Sequence, residues 1–341
     1  MPLPLQRGPS LQQVADAAGV HRSTASRALN PATAHLISPE ITARIRAASQ
    51  ALGYRRDAMA AGLRTRRSHL VGVLVPDIAN PVFGPILSGL ESPLKAAGYS
   101  LLIVNAGNDA TRQAELAEDL IARRVDGIVL ATVQRDDPVV TSCLRIGLPI
   151  VLVNRAESTA RTSSVVSDDV AGMGLSVRHL TALGHCAIGH IAGPPQLSTG
   201  LLRRQGFETA MTEAGLDATM ISVATGYSRE AGLEAAETLL SRHLVTAIAA
   251  ANDLLALGAY QALARRGLRC PQDVSVVGYN DMPLVDMVQP PLTTIRINPV
   301  AMGQDAAALL LGLIDGNTKA MTTRIVNPVF VPRQSTAPPN G

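Results

Sequence analysis

From Leu70 onward, short apolar runs alternate with amphipathic stretches of helical length. Largely apolar runs are typical of parallel strands buried on both faces, and helical segments between them cover such sheets. The predicted strands are LVGVLVPD, YSLLIVNAG, DGIVLATV, PIVLVNR, CAIGHIAG, AIAAAND and VSVVGYND. The predicted helices are Phe83–Gly98, Thr111–Arg123, Gly172–Leu183, Leu202–Gly215, Arg229–Arg242 and Leu254–Gly267. These strand–helix units are too numerous for one small doubly wound sheet, so we expect an α/β body with two lobes.

The first 54 residues follow a different pattern, which predicts three short helices. Ser10 and Gln13 form a capping-box signature ahead of the first helix, and Gly19 ends it. The second helix is expected from His21 to Leu29. The third begins with Ser38 as its N-cap, followed by Pro39, and ends near Gly53.

The segment LQQVADAAGVHRSTASRALN (Leu11–Asn30) has the form of a helix-turn-helix, in which two helices meet at a short glycine-containing turn. The second helix carries His21, Arg22, Ser23, Ser26 and Arg27 on its polar side. Arginine pairs bidentately with guanine in the major groove, and serine contacts bases or phosphates. The alternative is an ordinary helical hairpin with a solvated face.

Charge is distributed unevenly. Residues 1–69 contain ten arginines against Asp16, Glu40 and Asp57, a formal charge of +7, and the remainder carries −4. A basic head on a slightly acidic body indicates that the head binds a polyanion such as DNA.

Composition excludes several other classes. No long uncharged apolar run predicts a membrane span, and the N-terminus lacks a signal-peptide core, so we expect a cytoplasmic protein. The isolated cysteines Cys143, Cys186 and Cys270 have no metal-ligand spacing, so no metal and no cofactor is expected.

An enzyme built on doubly wound sheets is the main competing hypothesis. The chain has no phosphate-binding G-x-x-x-x-G-K-[ST] loop and no G-x-S-x-G nucleophile elbow. Gly172-Met173-Gly174 lacks the third glycine of a dinucleotide motif, and His185 and His190 flank an apolar run in the manner of structural residues. A solute-binding protein is the other alternative, which the basic head argues against.

The head resembles the headpiece of the lactose-repressor (LacI, or GalR-type) family of bacterial transcriptional regulators. The resemblance continues through VGVLVPDIANPVF, GHIAGPPQLSTGLLRRQGF, AIAAANDLLALGA and VSVVGYNDMPLVDMVQPPLTTIRI. It implies a small all-α helix-turn-helix headpiece (residues 1–54), a hinge helix or linker (55–69), and a two-lobed periplasmic-binding-protein-like body with parallel sheets (70–341).

The family pattern also implies roles in DNA binding. Arg22 and Ser23 would determine specificity, Arg27 would contact bases, and Thr24, Ser26 and Asn30 would contact phosphates or brace the helix. In the hinge, Ala60 and Leu63 would lie at the DNA, with Leu63 either an apolar wedge in the minor groove or a packing residue. Many relatives have Asn-Pro before this helix, whereas here Arg55 and Arg56 precede Asp57 and are expected to contact phosphates.

In the body, the resemblance places a small-molecule effector in the cleft between the lobes. The residues expected there are Asp77, Val82, Phe83, Asn154, Thr199, Arg203, Tyr227, Asn252 and Asn280. The alternatives are a surface role for Arg203, a core role for Phe83, and turn or helix capping for the strand-end asparagines and aspartate.

The chain is expected to cross between the lobes near Ser158–Ser163, Asp281–Pro291 and Asn327–Arg333. The N-lobe would then comprise about residues 70–158 and 291–327, and the C-lobe about 163–281 and 333–341.

Departures from the family bear on the effector. Asn280 stands where sugar-binding relatives often have aspartate, Pro299 matches a position that is often aromatic, and Leu201 matches one that is often polar. With Arg203 uncompensated by that aspartate, a sugar acid or carboxylate becomes a hypothesis beside a neutral sugar.

No leucine heptad follows the C-terminal sequence VPRQSTAPPNG, so we expect a homodimer formed through the body. Its two heads would bind a pseudo-palindromic operator in double-stranded DNA, with effector-controlled affinity. A repressor is expected, and a transcriptional activator on the same scaffold is the alternative.

Overall fold

A computed structural model describes residues 9–30, 33–54, 67–317 and 320–340. The chain divides into two compact units, residues 1–68 and residues 69–341. The predicted linker at 55–69 lies mostly outside the described residues.

The first unit is helical. Its helices are α1 (Leu11–Ala17), α2 (Arg22–Ala28) and α3 (Pro39–Ala51), with a short 3-10 turn at Ala34–Leu36. The capping box of α1 is confirmed, because the Ser10 side chain accepts from the Gln13 backbone and the Gln13 side chain accepts from the Ser10 backbone. Ser38 caps α3 as predicted.

A small alanine-rich core holds the first two helices together. Ala15 and Ala25 are fully buried, beside Val14 and Ile45. Gly19 has a φ of +63° in the turn between the helices, a conformation that costs glycine little. The predicted helix-turn-helix is therefore confirmed.

The second unit contains parallel sheets. Its strands are β1 (Leu70–Val75), β2 (Ser100–Asn105), β3 (Gly127–Leu130), β4 (Ile150–Val153), β5 (Ser163–Ser167), β6 (Ile188–Ala192), β7 (Ile221–Val223), β8 (Ala247–Ala250), β9 (Ser275–Val277), β10 (Thr294–Arg296), β11 (Thr323–Val326) and β12 (Val329–Val331). A six-stranded sheet has the order β11-β5-β4-β3-β1-β2, and a four-stranded sheet has the order β7-β6-β8-β9. All the pairs within these two sheets are parallel.

Helices cover both sheets. They are α4 (Phe83–Ala96), α5 (Ala110–Ala122), α6 (Pro138–Arg145), α7 (Asp169–Ala182), α8 (Ser198–Glu213), α9 (Arg229–Arg242), α10 (Asp253–Arg265) and α11 (Pro299–Ile314). β3, β4 and β8 are buried along their whole length, as expected for strands covered on both faces. The predicted two-lobed α/β body is confirmed.

Two of the predicted crossovers between the lobes are wrong. Ser163–Ser167, expected to begin the C-lobe, is β5 and pairs with β4 and β11 in the N-lobe sheet. The first crossover therefore follows Ser167, where the chain enters α7. The serine-rich sequence SSVVS has only two apolar residues, which is too few to indicate a strand by hydrophobicity.

The second crossover was placed too early, at Asp281–Pro291. Thr293 and Arg296 bridge back to Val277 and Asn280 at the end of β9, so β10 still lies against the C-lobe. The chain leaves for the N-lobe after Arg296 and enters α11. The third connection contains β12, which pairs antiparallel with β10.

Asp281 joins these connecting segments electrostatically. Its carboxylate accepts from Arg296 Nε and from Arg333 Nη2, each at 2.7 Å. The Asp281 side chain is nearly buried, so these pairs are less screened than surface pairs.

Candidate functional site

The second helix of the helix-turn-helix, α2, exposes several of the side chains predicted to contact DNA. Arg22, Ser23 and Arg27 are exposed, whereas Thr24 and Ser26 are half-buried. Asn30 is half-buried just after the helix. The exposed group contains the residues predicted to contact bases, and the half-buried group contains those predicted to contact phosphates or brace the helix.

His21 takes a role that sequence reasoning did not identify. It is the N-cap of α2, and its Nδ1 accepts from the Ser23 backbone at 3.3 Å and lies 2.8 Å from Ser23 Oγ. The imidazole thus orients Ser23 at the start of the recognition helix. The predicted hinge residues Arg55, Arg56, Ala60 and Leu63 lie outside the described residues.

In the body, one cavity gathers most of the predicted effector residues. Its lining residues are Asn80, Val82, Phe83, Asn154, Arg155, Thr199, Arg203, Tyr227, Asn252 and Asn280. Both lobes contribute. The lining follows strand ends and helix starts, because the carboxyl ends of parallel strands meet at one edge of each sheet.

Asp77 is the predicted residue that the structure does not bring to this cavity. Its side chain is exposed and accepts a hydrogen bond from the Ala79 backbone at 2.9 Å, which forms a local turn. Asn80 lines the cavity instead. Asn80 and Arg155 were visible as polar residues at strand ends, but family resemblance did not single them out.

Two asparagines that line the cavity have a positive φ, a backbone conformation that is uncommon for residues other than glycine. Asn154 has a φ of +67° and Asn280 a φ of +109°. Asparagine tolerates positive φ better than most residues, and such strain is common at ligand-binding positions. Asn252 combines two roles, since its Oδ1 caps α10 by accepting from the Leu255 backbone at 2.8 Å and the residue also lines the cavity.

Arg203 is held rigidly inside the cavity wall. It is 2 % exposed, and its Nε donates to Asp169 Oδ1 at 2.9 Å while Nη1 donates to the Ala251 carbonyl at 2.6 Å. Its guanidinium carbon lies 3.9 Å from the centre of the Tyr279 ring, which adds a cation–π contact.

Burial raises the pKa of the Asp169 carboxyl, whereas the Arg203 charge opposes that shift. Burial acts to lower the pKa of Arg203, but Asp169 raises it above its ordinary value. The two groups therefore form a buried ion pair. This corrects the premise that Arg203 is uncompensated, because Asp169 supplies the carboxylate that was expected at position 280.

Tyr227 closes the C-lobe side of the cavity. Its hydroxyl donates to Thr199 Oγ1 at 3.1 Å. A Cβ at Gly193 would lie 2.2 Å from that hydroxyl, so the glycine makes room for the tyrosine. The two lobes also touch directly, since the Ala156 backbone donates to Ser198 Oγ at 3.0 Å beside the cavity.

The two histidines near β6 have structural contacts. His190 is fully buried with Nδ1 at 2.7 Å from the Ala249 carbonyl, and burial lowers its pKa to about 4. His185 contacts Thr246, Ser275 and the Ala337 carbonyl and so ties the C-terminal segment to the C-lobe.

Asp253 follows the cavity residue Asn252 in the chain and has no solvent exposure. It accepts from Thr294 Oγ1 at 2.6 Å and from the Met282 backbone at 2.8 Å. Burial, partly opposed by these hydrogen bonds, raises the pKa of Asp253 to about 7.

We expect Asp253→Asn to change how stability depends on pH. Because the folded-state pKa is raised, the carboxyl's stabilising contribution is complete below the unfolded pKa of about 4 and is lost as pH rises through about 7. The free energy of unfolding of Asp253→Asn, relative to wild type, should therefore increase between about pH 4 and pH 7, by an amount on the order of a few kcal/mol. Urea unfolding followed by circular dichroism measures this, and identical pH slopes for the two proteins would contradict the assignment.

The described helices include none that is long and apolar enough to cross a membrane. Across the described ranges, no cluster of three or more His, Cys, Asp or Glu side chains is arranged to hold a metal ion.

A helix-turn-helix unit joined to a two-lobed body with a polar cleft defines a ligand-responsive DNA-binding protein. Comparison with known proteins agrees. Residues 10–57 match the family "Bacterial regulatory proteins, lacI family", and residues 177–336 match a periplasmic binding protein-like domain.

Among curated relatives, the HTH-type transcriptional regulator DegA of Bacillus subtilis is 32 % identical over 97 % of this chain and 99 % of its own length. A structure of the Lac repressor dimer bound to operator and an anti-inducer is 27 % identical, with a TM-score of 0.88 over 97 % of this chain and all of that one. The structure of a complex of the regulator CelR with cellobiose is 30 % identical, with a TM-score of 0.75 over 96 % of this chain and 99 % of that one.

The chain belongs to the LacI family of bacterial transcriptional regulators. The resemblance inferred from sequence is confirmed, and the protein is a DNA-binding transcriptional regulator.

Proposed function

We propose that the protein is a repressor whose affinity for one operator is set by a small polar metabolite bound in the cavity. The observation that carries this proposal is that the cavity is lined from both lobes, in a chain that also exposes Arg22, Ser23 and Arg27 on a recognition helix. A ligand that contacts both lobes stabilises the arrangement in which the lobes are close together. It shifts the equilibrium between the close and open arrangements only as far as its affinities for the two differ.

For DNA, we assign specificity to Arg22 and Ser23, further base contacts to Arg27, and phosphate contacts or support of the helix to Thr24, Ser26 and Asn30. Arg55 and Arg56 are proposed to contact phosphates, and Ala60 and Leu63 to enter the minor groove. The Lac repressor relative is a dimer on its operator. By analogy, a homodimer of this chain would bind a pseudo-palindromic site in double-stranded DNA.

For the effector, we assign eight predicted residues to the binding site: Val82, Phe83, Asn154, Thr199, Arg203, Tyr227, Asn252 and Asn280. Amide and hydroxyl groups converging on a cavity with an aromatic wall suit a sugar or a related polyhydroxy compound. CelR, bound to cellobiose in its structure, is a sugar-binding member of the same family.

We further propose that the protein has no enzymatic activity and works in the cytoplasm, where bacterial DNA lies. An activator on the same scaffold is the alternative to a repressor. It is distinguished by whether transcription from the bound promoter falls or rises when the protein is present.

Removing residues 1–68 should abolish binding to DNA while leaving effector binding in place, because these residues form a unit separate from the cavity. The full-length protein is used to select genomic fragments, and the enriched site is then tested by gel shift with both forms. Retention of the selected fragment by the truncated form would contradict the proposal, as would failure of the full-length protein to enrich any sequence.

A further inference from the structure

A second arginine lines the cavity, and its environment differs from that of Arg203. Arg155 is 4 % exposed and follows Asn154 at the end of β4. Its hydrogen bond within the described residues is a long one, from Nη1 to the Thr132 carbonyl at 3.4 Å. Its Nε is buried with no acceptor among those residues.

No described carboxylate pairs with Arg155. Asp169, the buried carboxylate of the cavity wall, is bonded to Arg203 at 2.9 Å. Asp253 and Asp281 are occupied by Thr294 and by Arg296 and Arg333. Burial, together with the nearby Arg203 charge, lowers the pKa of Arg155 to about 10, which still leaves it protonated at neutral pH.

A buried cation without a counter-charge is unfavourable, and proteins retain such groups mainly where they serve a function. The cavity thus contains two guanidinium charges and one carboxylate, a net positive charge at its wall. A ligand carrying an anionic oxygen pair would satisfy the planar fork of Arg155, including its unpaired Nε.

The same cavity also contains an unpaired acceptor. Asn280 Oδ1 is buried with no donor among the described residues. Asn80 and Asn252 each use Oδ1 to accept a backbone N–H, from Val82 at 3.2 Å and from Leu255 at 2.8 Å. Their amide N–H groups remain as donors, so hydroxyl groups that both donate and accept fit the rest of the site.

We propose that the effector is a polyhydroxy anion whose acidic group pairs with Arg155 and whose hydroxyl groups meet the asparagine amides and Asn280 Oδ1. This inference rests on the proposed function and names the chemistry of its ligand.

The binding test uses the full-length protein and calorimetry. The probes are gluconate, galactonate, glucuronate and galacturonate as carboxylates, hexose phosphates as phosphates, and glucose and galactose as their neutral counterparts. Acetate and inorganic phosphate test the bare anion. We expect at least one polyhydroxy anion to bind and its neutral counterpart to bind about 10- to 100-fold more weakly, the range expected for a charge-assisted pair. Comparing the carboxylate probes with the phosphate probes identifies which acidic group the site binds.

The variants Arg155→Met and Arg155→Lys test whether Arg155 is the cation that pairs with the acidic group of the ligand. The methionine variant should lose the preference for the anion, and the lysine variant should keep part of it. In the absence of any ligand, Arg155→Met should also raise the thermal midpoint by about 2–4 °C, because an uncompensated buried charge is removed. Arg204→Met, at a half-exposed arginine paired with Glu208, is the matched control and should change neither property.

Binding of neutral sugars in preference to every anion would overturn the inference and leave the proposed function standing. Failure of all the anions to bind would overturn it too, as would an anion preference that survives in Arg155→Met. The proposed function fails separately, if the protein enriches no DNA site.

Discussion

Replacing Arg203 by methionine is expected to lower the free energy of unfolding by about 3–5 kcal/mol, the cost typical of breaking a buried ion pair from one side. The substitution keeps most of the side-chain volume but leaves Asp169 as a buried carboxylate, 3 % exposed, without its cation. It also removes the hydrogen bond to the Ala251 carbonyl and the stacking on Tyr279. Urea unfolding at neutral pH, followed by circular dichroism, measures the change.

The double variant Asp169→Asn with Arg203→Met is the control for the charge argument. With both charges removed, stability should recover to within about 1–2 kcal/mol of wild type, because buried pairs are often replaceable by neutral groups. Additive losses in the double variant would show that Arg203 acts through packing rather than by balancing Asp169.

Substitution by methionine is expected to lower the stability of the protein at Arg203 and to raise it at Arg155. The two arginines are buried to nearly the same extent, so the difference comes from the groups they pair with. Arg203 stabilises the cavity wall because it forms an ion pair with the Asp169 carboxylate. The other has no carboxylate among the described residues, so its removal relieves the apo protein. A residue that destabilises the empty site is typical of a ligand-binding position.

Much of this architecture was predictable because local signals agreed with the final fold. The Ser10–Gln13 capping box and the Ser38–Pro39 start are local in sequence and do not depend on tertiary contacts. The asparagines of the cavity could be found because they follow apolar strands, and parallel strands bring their carboxyl ends to one edge. Arg229–Arg242 was predicted with the bounds that the structure has.

The features that could not be predicted depend on contacts between residues that are far apart in the sequence. Asp169 and Arg203 lie on separate helices, and nothing near either residue indicates that they pair. β5 was missed because its two valines are flanked by serines, and β7 because its sequence ISV has only two apolar residues, separated by a serine. Hydrophobicity alone cannot identify such strands, whose pairing is set by neighbouring strands in the sheet.

The largest effect on function is expected from Arg22→Ala. Arg22 is exposed at the first position of the recognition helix, beside the Ser23 that His21 orients. A bidentate arginine–guanine contact contributes about 1–3 kcal/mol of discrimination. A dimer would lose this contact twice, which corresponds to about a 30-fold to 20,000-fold loss of preference for the operator over bulk DNA. Competition gel shifts at fixed salt measure this preference.

Arg44→Ala provides the matched comparison, since Arg44 is also exposed in the first unit but lies on α3. Loss of a charge that meets only phosphate weakens binding to all sequences alike and reduces the salt dependence, without changing specificity. The ratio of operator to bulk affinity should therefore fall in Arg22→Ala and hold in Arg44→Ala. Equal ratios in the two variants would mean that α2 meets DNA only through its charge, and base recognition would have to be assigned to another element.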